Sequence, residues 1–322
     1  MQKRIVVLGG VGLIGTHLCL RLLREGNEVF CVDIRDVDNS PYLRVARDFE
    51  NFHFIRHNIV HSYGIRCDEI YNLASPSCLR YDTSHPVEML KVNIAGSINT
   101  LETARAEHAR VLFASSGDIC DVAHRDVLSD DSHYGAMGTV MCEAKRSAEA
   151  LHRAYRIEYG TDTRIARIFN TYGTSVDLND RRAITNMIVA ALQNRDIVIC
   201  GSGEQSRTFC WVEDIVDGII RLMTAPADAG LTAVSFGGTR EISIRALAER
   251  IIELTGSRSK IRHIESRYND LRRKTPDISV ARRELRWSPA VSLTDGLQRT
   301  IGYIEKEMSK IGYTARTWVE VH

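Results

Sequence analysis

The stretch VVLGGVGLIGTHL, residues 6–18, limits what this chain can become more than any other. An apolar run ends in it and an amphipathic helical pattern starts from it. Gly9, Gly12 and Gly15 stand between the two at the spacing G-x-x-G-x-x-G. Glycines at such a corner permit a tight turn and let a pyrophosphate approach the backbone, with the helix N-terminus facing the anion. A second strand must follow, and EVFCVD (28–33) supplies it. Asp33 ends that strand, 18 residues after Gly15. A carboxylate there accepts hydrogen bonds from the adenosine ribose hydroxyls and repels a 2′-phosphate. The pattern points to NAD over NADP, with neighbouring Arg35 weakening the exclusion. The competing reading is a βαβ unit whose glycines serve packing alone.

The alternation continues through the first half. FHFIRHNI (52–59), EIYNLAS (69–75), RVLFASS (110–116) and TRIARIFN (163–170) read as strands. PVEMLKVNIAGSINTLETARAEHA (86–109) and GTVMCEAKRSAEAL (138–151) read as helices between them. Strands separated by helices predict an α/β fold, a Rossmann-type doubly wound parallel sheet, with ligands at the carboxyl ends of its strands. After about residue 170 the rhythm loosens. RRAITNMIVAALQNRD (181–196) and ISIRALAERIIELTG (242–256) have helical periodicity, and IVICGSG, RTFCWV and AVSFGG read as short strands among turns. The expected organisation is a cofactor-binding domain over 1–170, a smaller substrate domain over 171–316 partly interleaved with the sheet, and a tail, 317–322.

Composition narrows the function classes. With 44% hydrophobic residues, the 322-residue chain can bury a large core. Its 42 basic and 41 acidic residues nearly cancel, so it lacks the positive field that non-specific nucleic-acid binding needs. No apolar run approaches the ~20 residues of a membrane span. The sequence enters a strand-like run at once, with no signal peptide visible. Eight cysteines (19, 31, 67, 78, 120, 142, 200 and 210) are scattered without a CxxC pair. That argues against a metal site and a disulfide framework, and makes a reduced, cytoplasmic setting the simplest expectation.

Several segments together carry a family resemblance: GGVGLIGTHL, IYNLASPS, FASSGDI, KRSAEAL, RIARIFNTYG, ITNMIVAALQ, GSGEQSRTFCWVEDIVDGI and KTPDI. The chain resembles the extended short-chain dehydrogenase/reductases that act on nucleotide sugars, and within them the UDP-glucuronate decarboxylases, also called UDP-xylose synthases. The resemblance implies bound NAD, oxidation of the sugar at C4, loss of carbon dioxide from the resulting β-keto acid, and return of the hydride. A nucleotide-sugar 4-epimerase or 4,6-dehydratase, and a protein that binds NAD and nucleotide sugar without turnover, are the alternatives.

The resemblance also implies roles. Leu13, Ile14, Asn58, Ile59, Leu73, Ala74 and Ser75 join the glycines and Asp33 around the cofactor. Ser116 bonds the C4 oxygen, Asp118 takes the place of a family glutamate, and Lys145 binds the nicotinamide ribose. Asn170, Asn186 and Arg207 contact the UDP moiety. The substrate-facing arginine falls on Lys274, with Arg273 one residue away. The motif tyrosine, four residues before Lys145, falls on Met141. A thioether has no proton to give, so another group must serve, or a 4-keto-pentose nucleotide leaks out. Asp118, a water held by Ser116 and Lys145, and the thiols of Cys120 and Cys142 are candidates for that service. A homodimer built from the helix after EMLKV and the helix carrying Lys145 is a further implication.

Overall fold

The computed structural model describes residues 2–40, 42–76, 85–117, 119, 140–178, 182–265 and 273–310. The first half runs β1 (Arg4–Leu8), α1 (Leu13–Arg24), β2 (Glu28–Asp33), β3 (Phe52–Arg56), β4 (Glu69–Asn72), α2 (Pro86–Glu107), β5 (Arg110–Ser116), α3 (Val140–Tyr159) and β6 (Thr163–Ile168). The rest runs β7 (Thr171–Tyr172), α4 (Ala183–Leu192), β8 (Ile197–Cys200), β9 (Ser206–Thr208), β10 (Cys210–Trp211), α5 (Val212–Thr224), β11 (Ala233–Phe236), β12 (Glu241–Ser243), α6 (Ile244–Thr255), β13 (Ile261–Ile264), β14 (Arg273–Lys274), α7 (Ser279–Leu285) and α8 (Leu293–Lys310).

Seven strands form one parallel sheet in the order β11-β6-β5-β4-β1-β2-β3. β1 explains why. Ile5 through Leu8 are all fully buried, as expected of a strand covered on both faces. The two-residue period splits them between two layers. Ile5 and Val7 pack with Leu18 and Leu22 of α1 and with Ile215 and Ile219 of α5. Val6 and Leu8 pack with Val92 and Leu101 of α2. Each such side chain contributes roughly 1.5–3 kcal/mol by leaving water. A further core joins α4, α6 and α8 through Ile188, Leu247 and Ile304.

AVSFGG forms β11, and Val234 lies opposite Ala166 at the sheet edge. One segment departs from the strand reading of the sequence. RTFCWV is not one strand. Its first part, β9, pairs with β12 and β14, whereas β10 pairs with β7. Asn170 accounts for the change of partner. Its carbonyl accepts from Cys210 N at 2.9 Å and its side-chain amide donates to the Thr208 carbonyl at 3.1 Å, so the chain is held on both sides of Phe209.

α5, α7 and β11 meet at Trp287. This side chain is 1% exposed, stands edge-on to Phe236 at 5.0 Å, and donates its Nε1–H to the Asp214 carbonyl at 2.8 Å. Gly218 leaves it room, because a Cβ there would come within 2.6 Å of the Phe236 ring. Trp287→Ala is expected to lower stability by about 3–5 kcal/mol, read as a lower urea midpoint at unchanged slope. An unchanged midpoint would contradict this account of the sheet edge.

Candidate active site

The connections leave β1 in one direction through β2 and β3, then return to β4 and proceed the other way through β5 and β6. β1 and β4 are therefore neighbours whose following loops diverge, and a crevice opens at their carboxyl ends. A cleft of about 850 Å³ occupies it.

Its floor is the glycine turn. Gly9 has φ +76°, a conformation that L side chains rarely adopt, and a Cβ on it would stand 2.8 Å from Ala74 Cα. A Cβ on Gly15 would meet the Gly9 carbonyl and the Gly10 backbone. Gly12 caps α1 in extended conformation with no side-chain cap. The first amides of α1 thus have no side-chain cap and can serve an anion.

Asp33 is buried at the end of β2, where its carboxylate accepts from Val11 N and Arg35 N, both at 2.9 Å. These bonds fix the oxygens beside the turn. The opposite wall is equally ordered. Asn72 Oδ1 accepts from Ala74 N at 3.3 Å, and Ser75 is bonded to Asn93 of α2. Asn58 Oδ1 accepts from Val60 N at 3.1 Å and shapes the loop after β3.

Gly9, Gly12, Leu13, Ile14, Gly15, Asp33, Asn58, Ile59, Leu73, Ala74, Ser75, Ser116, Lys145, Asn170 and Arg207 all line this one cleft, as does Met141. Asn186 does not, although the preceding residues Arg182 to Thr185 do. The backbone of Lys274 pairs with Arg207 and that of Arg273 with Ser206, so both lie beside the β9 strand that borders the cleft. Asp118 and Cys120 lie outside the described residues. Cys142 is buried on α3 and is not part of the lining.

Lys145 is strongly perturbed in the cleft. It is 6% exposed, and its Nζ donates to the Ala114 carbonyl at 2.8 Å while lying 4.7 Å over the Phe113 ring. Burial pushes its amine down to about 7, against a smaller opposing pull from Glu149. Glu149 is itself held by two bonds from Arg167, at 2.9 and 2.8 Å, and a third from Arg153 at 3.3 Å. His152 also stacks on Phe113, at 4.8 Å. Burial, with Lys145 nearby, pushes that imidazole down to about 3, so it is neutral.

Sequence reading missed several polar lining residues, among them Ser115, Glu88, Arg182 and Thr185. Ser115 is 4% exposed and its hydroxyl is buried without a protein partner among the described residues. The double serine of FASSGDI contained that signal. Arg182 stands in the RR pair that precedes α4. Glu88 lies on the first turn of α2, where only the tertiary arrangement reveals that it meets the cleft. Among the described residues no cluster of histidine, cysteine or carboxylate side chains could hold a metal ion, and no helix is long and apolar enough to cross a membrane.

Known proteins are similar to this chain. A family model described as the NAD dependent epimerase/dehydratase family matches residues 5–234. UDP-glucuronic acid decarboxylase 1 of Xenopus tropicalis is 36% identical over 311 residues, which is 95% of this chain and 73% of that protein. UDP-glucuronic acid decarboxylase 3 of Arabidopsis thaliana is 36% identical over 92% of this chain and 87% of its own length. Among solved structures, the UDP-glucose 4-epimerase of Thermotoga maritima aligns with a TM-score of 0.81 at 24% identity, covering 95% of this chain and 99% of that one. The UDP-glucuronic acid 4-epimerase of Bacillus cereus, solved with UDP-glucuronic acid and NAD, aligns with a TM-score of 0.81 at 23% identity, over 94% and 99% of the two chains. At such identities the structures show the fold alone.

The buried amine gives a stability test. In the unfolded chain a lysine ionises near 10.4, whereas in the fold Lys145 does so at about 7. The cost of holding it charged is complete below pH 7 and falls as pH rises towards 10.4, by at most ~1.4 kcal/mol per pH unit. Lys145→Met, stripped of nucleotide, is therefore expected to be more stable than wild type at pH 6. Its advantage shrinks by pH 9. Urea unfolding at both pH values measures this, and an advantage independent of pH would overturn the assignment.

Proposed function

The chain belongs to the NAD dependent epimerase/dehydratase family, and on that premise we propose that it decarboxylates UDP-glucuronate in the cleft between β1 and β4. The observation that carries the proposal is the set of decarboxylase relatives at about one-third identity across nearly the whole chain. The cleft supports it, because one continuous surface joins an anion-ready glycine turn to Ser116, Lys145 and Arg207.

The residues present fit NAD. The cradle that a Cβ on Gly9 or Gly15 would fill and the uncapped amides of α1 suit the pyrophosphate, and the fixed Asp33 carboxylate suits the adenosine ribose. Lys145, at the cleft surface, would hold the nicotinamide ribose. NAD supplies a hydride acceptor for the sugar and later the donor. The protein then has three tasks. Arg207, Asn170 and Arg182 hold the nucleoside diphosphate end, the arginines by charge-assisted bonds. Ser116, at the carboxyl end of β5, orients the C4 oxygen. Lys145 supplies positive charge beside it. Loss of carbon dioxide from the 4-keto acid needs no acid or base from the protein, since the ketone accepts the electrons.

Met141 is the departure. We read it as occupying the position of the proton-handling tyrosine, where acid–base help is worth about 10²–10⁴-fold. Oxidation and decarboxylation then outrun the final reduction, and UDP-4-keto-pentose leaves together with UDP-xylose. Exposed Val87 and Ile98 on α2 and Ile157 on α3, 62%, 38% and 86% accessible, support a homodimer through these helices, which sedimentation velocity would read as twice the chain mass. A cytoplasmic location is part of the same proposal; recovery in a secreted or membrane fraction would contradict it.

Purified protein given UDP-glucuronate is expected to release carbon dioxide and to retain absorbance of reduced nicotinamide. Met141→Tyr is expected to raise the share of reduced pentose in the products, identified by NMR. An unchanged product ratio would show that Met141 does not limit the return step. Turnover of UDP-glucose with none of UDP-glucuronate would move the assignment to an epimerase.

A further inference from the structure

We propose that the ε-amine of Lys145 itself carries the proton on and off the sugar C4 oxygen, with Glu149 as the residue that positions and charges it. The proposal rests on the decarboxylase reading above and names the group that takes over at its missing tyrosine.

Met141 and Lys145 stand one turn apart on α3 and both line the cleft, as Ser116 does from β5. With a thioether at the first position, the next group on that helical face able to exchange a proton is the amine. Its surroundings on the protein side are simple. Among the described residues its one hydrogen-bond partner is the Ala114 carbonyl at 2.8 Å, and the Phe113 ring lies beneath it at 4.7 Å. An ammonium has three N–H donors, and Ala114 occupies one. The others remain for a cofactor ribose and for a substrate oxygen or a water beside it.

Among the described residues the charges around the amine come from few places. On α3 itself stand Glu149, one turn further on, and neutral His152. From β6, Arg167 reaches Glu149 and not the amine, clamping both carboxylate oxygens. From α2, Glu88 lines the same cleft. β5 contributes the hydroxyls of Ser115 and Ser116. Glu149 is therefore a fixed negative charge behind Lys145, immobilised by a bidentate arginine and 3% exposed. Burial alone drives the amine towards the neutral form, and Glu149 pulls it back. The two effects leave a group that exists in both forms near neutral pH, as a base that must later act as an acid requires.

The exchange balances. In oxidation the amine lone pair takes the C4 hydroxyl proton, and the O–H electron pair becomes the second C–O bond. The C4–H pair departs as hydride to the nicotinamide that the family supplies. In the return step the ammonium gives the proton back to the oxygen as hydride reaches C4, and the lysine ends as it began. The neutral form favours oxidation and the charged form favours return, so the ratio of 4-keto to reduced pentose rises with pH through 7.

Lys145→Arg tests the role, because a guanidinium keeps charge and donors but does not deprotonate. The variant is expected to bind NAD in calorimetry, yet to form reduced nicotinamide from UDP-glucuronate at least about 10²-fold more slowly. Glu149→Gln is expected to move the midpoint of the pH–rate profile to lower pH, and Glu149→Asp to move it back. The same midpoint is read without turnover by NMR titration of 13C-labelled lysine side chains, with Lys145→Arg assigning the resonance. A Lys145→Arg rate within about tenfold of wild type, or a profile that Glu149→Gln leaves in place, overturns the proton role alone. Should Glu149→Gln fail to fold, Lys145→Arg and the wild-type titration decide. A lysine still charged above pH 9 overturns the proposal. Absence of any turnover by wild type, with Lys145 titrating near 7, overturns the decarboxylase reading and the proton role with it.

Discussion

At the end of β1 two backbones touch. Gly9 lies so near Ala74 that a single added carbon would stand 2.8 Å from its Cα. This contact brings the loops that follow β1 and β4 together just where the two strands begin to lead in opposite directions. It seats the start of α1 over the crevice and places Asp33 within reach of the same turn, through Val11 N. Every ligand-facing part of the cleft is referred to that meeting of two strand ends. A side chain at Gly9 would separate them and tilt α1 away from the sheet.

The fold was legible where local pattern and burial coincide. β1 is covered on both faces and reads as a continuous apolar run, RIVVL, and the helices after it carry unambiguous periodicity. Choice of partner was not legible. AVSF and IVIC are both short apolar runs, yet the first completes the large sheet and the second pairs with β13. Nothing within either segment distinguishes them; the difference arises from α5 and α7 packing around Trp287. RTFCWV divides because Asn170, nearly forty residues earlier, bonds on both sides of Phe209.

The site divides along the same line. Glycine spacing and Asp33 were readable because a βαβ unit fixes their separation. The cluster behind the cleft was not. Phe113, Glu149, His152 and Arg167 look like ordinary members of a strand or an amphipathic helix, and only their packing shows a buried carboxylate, a neutral imidazole and a ring arranged around one amine. Ser115 escaped notice because the resemblance singled out Ser116 alone, whereas both serines line the cleft. The strength of Lys145 as an acid follows from burial first and from Glu149 second, an ordering that residue identities alone do not reveal.

The late arrival of β11 has a consequence for biogenesis. Synthesis is vectorial, and β6 leaves the ribosome some sixty residues before Ala233–Phe236 can pair with it. Throughout that interval β6 is an exposed edge with unpaired amides and carbonyls, the kind of template that invites pairing with another chain. The intervening residues include β9, with Arg207, and α5. The seven-stranded sheet therefore cannot close until the segment that carries β9 and α5 has been made.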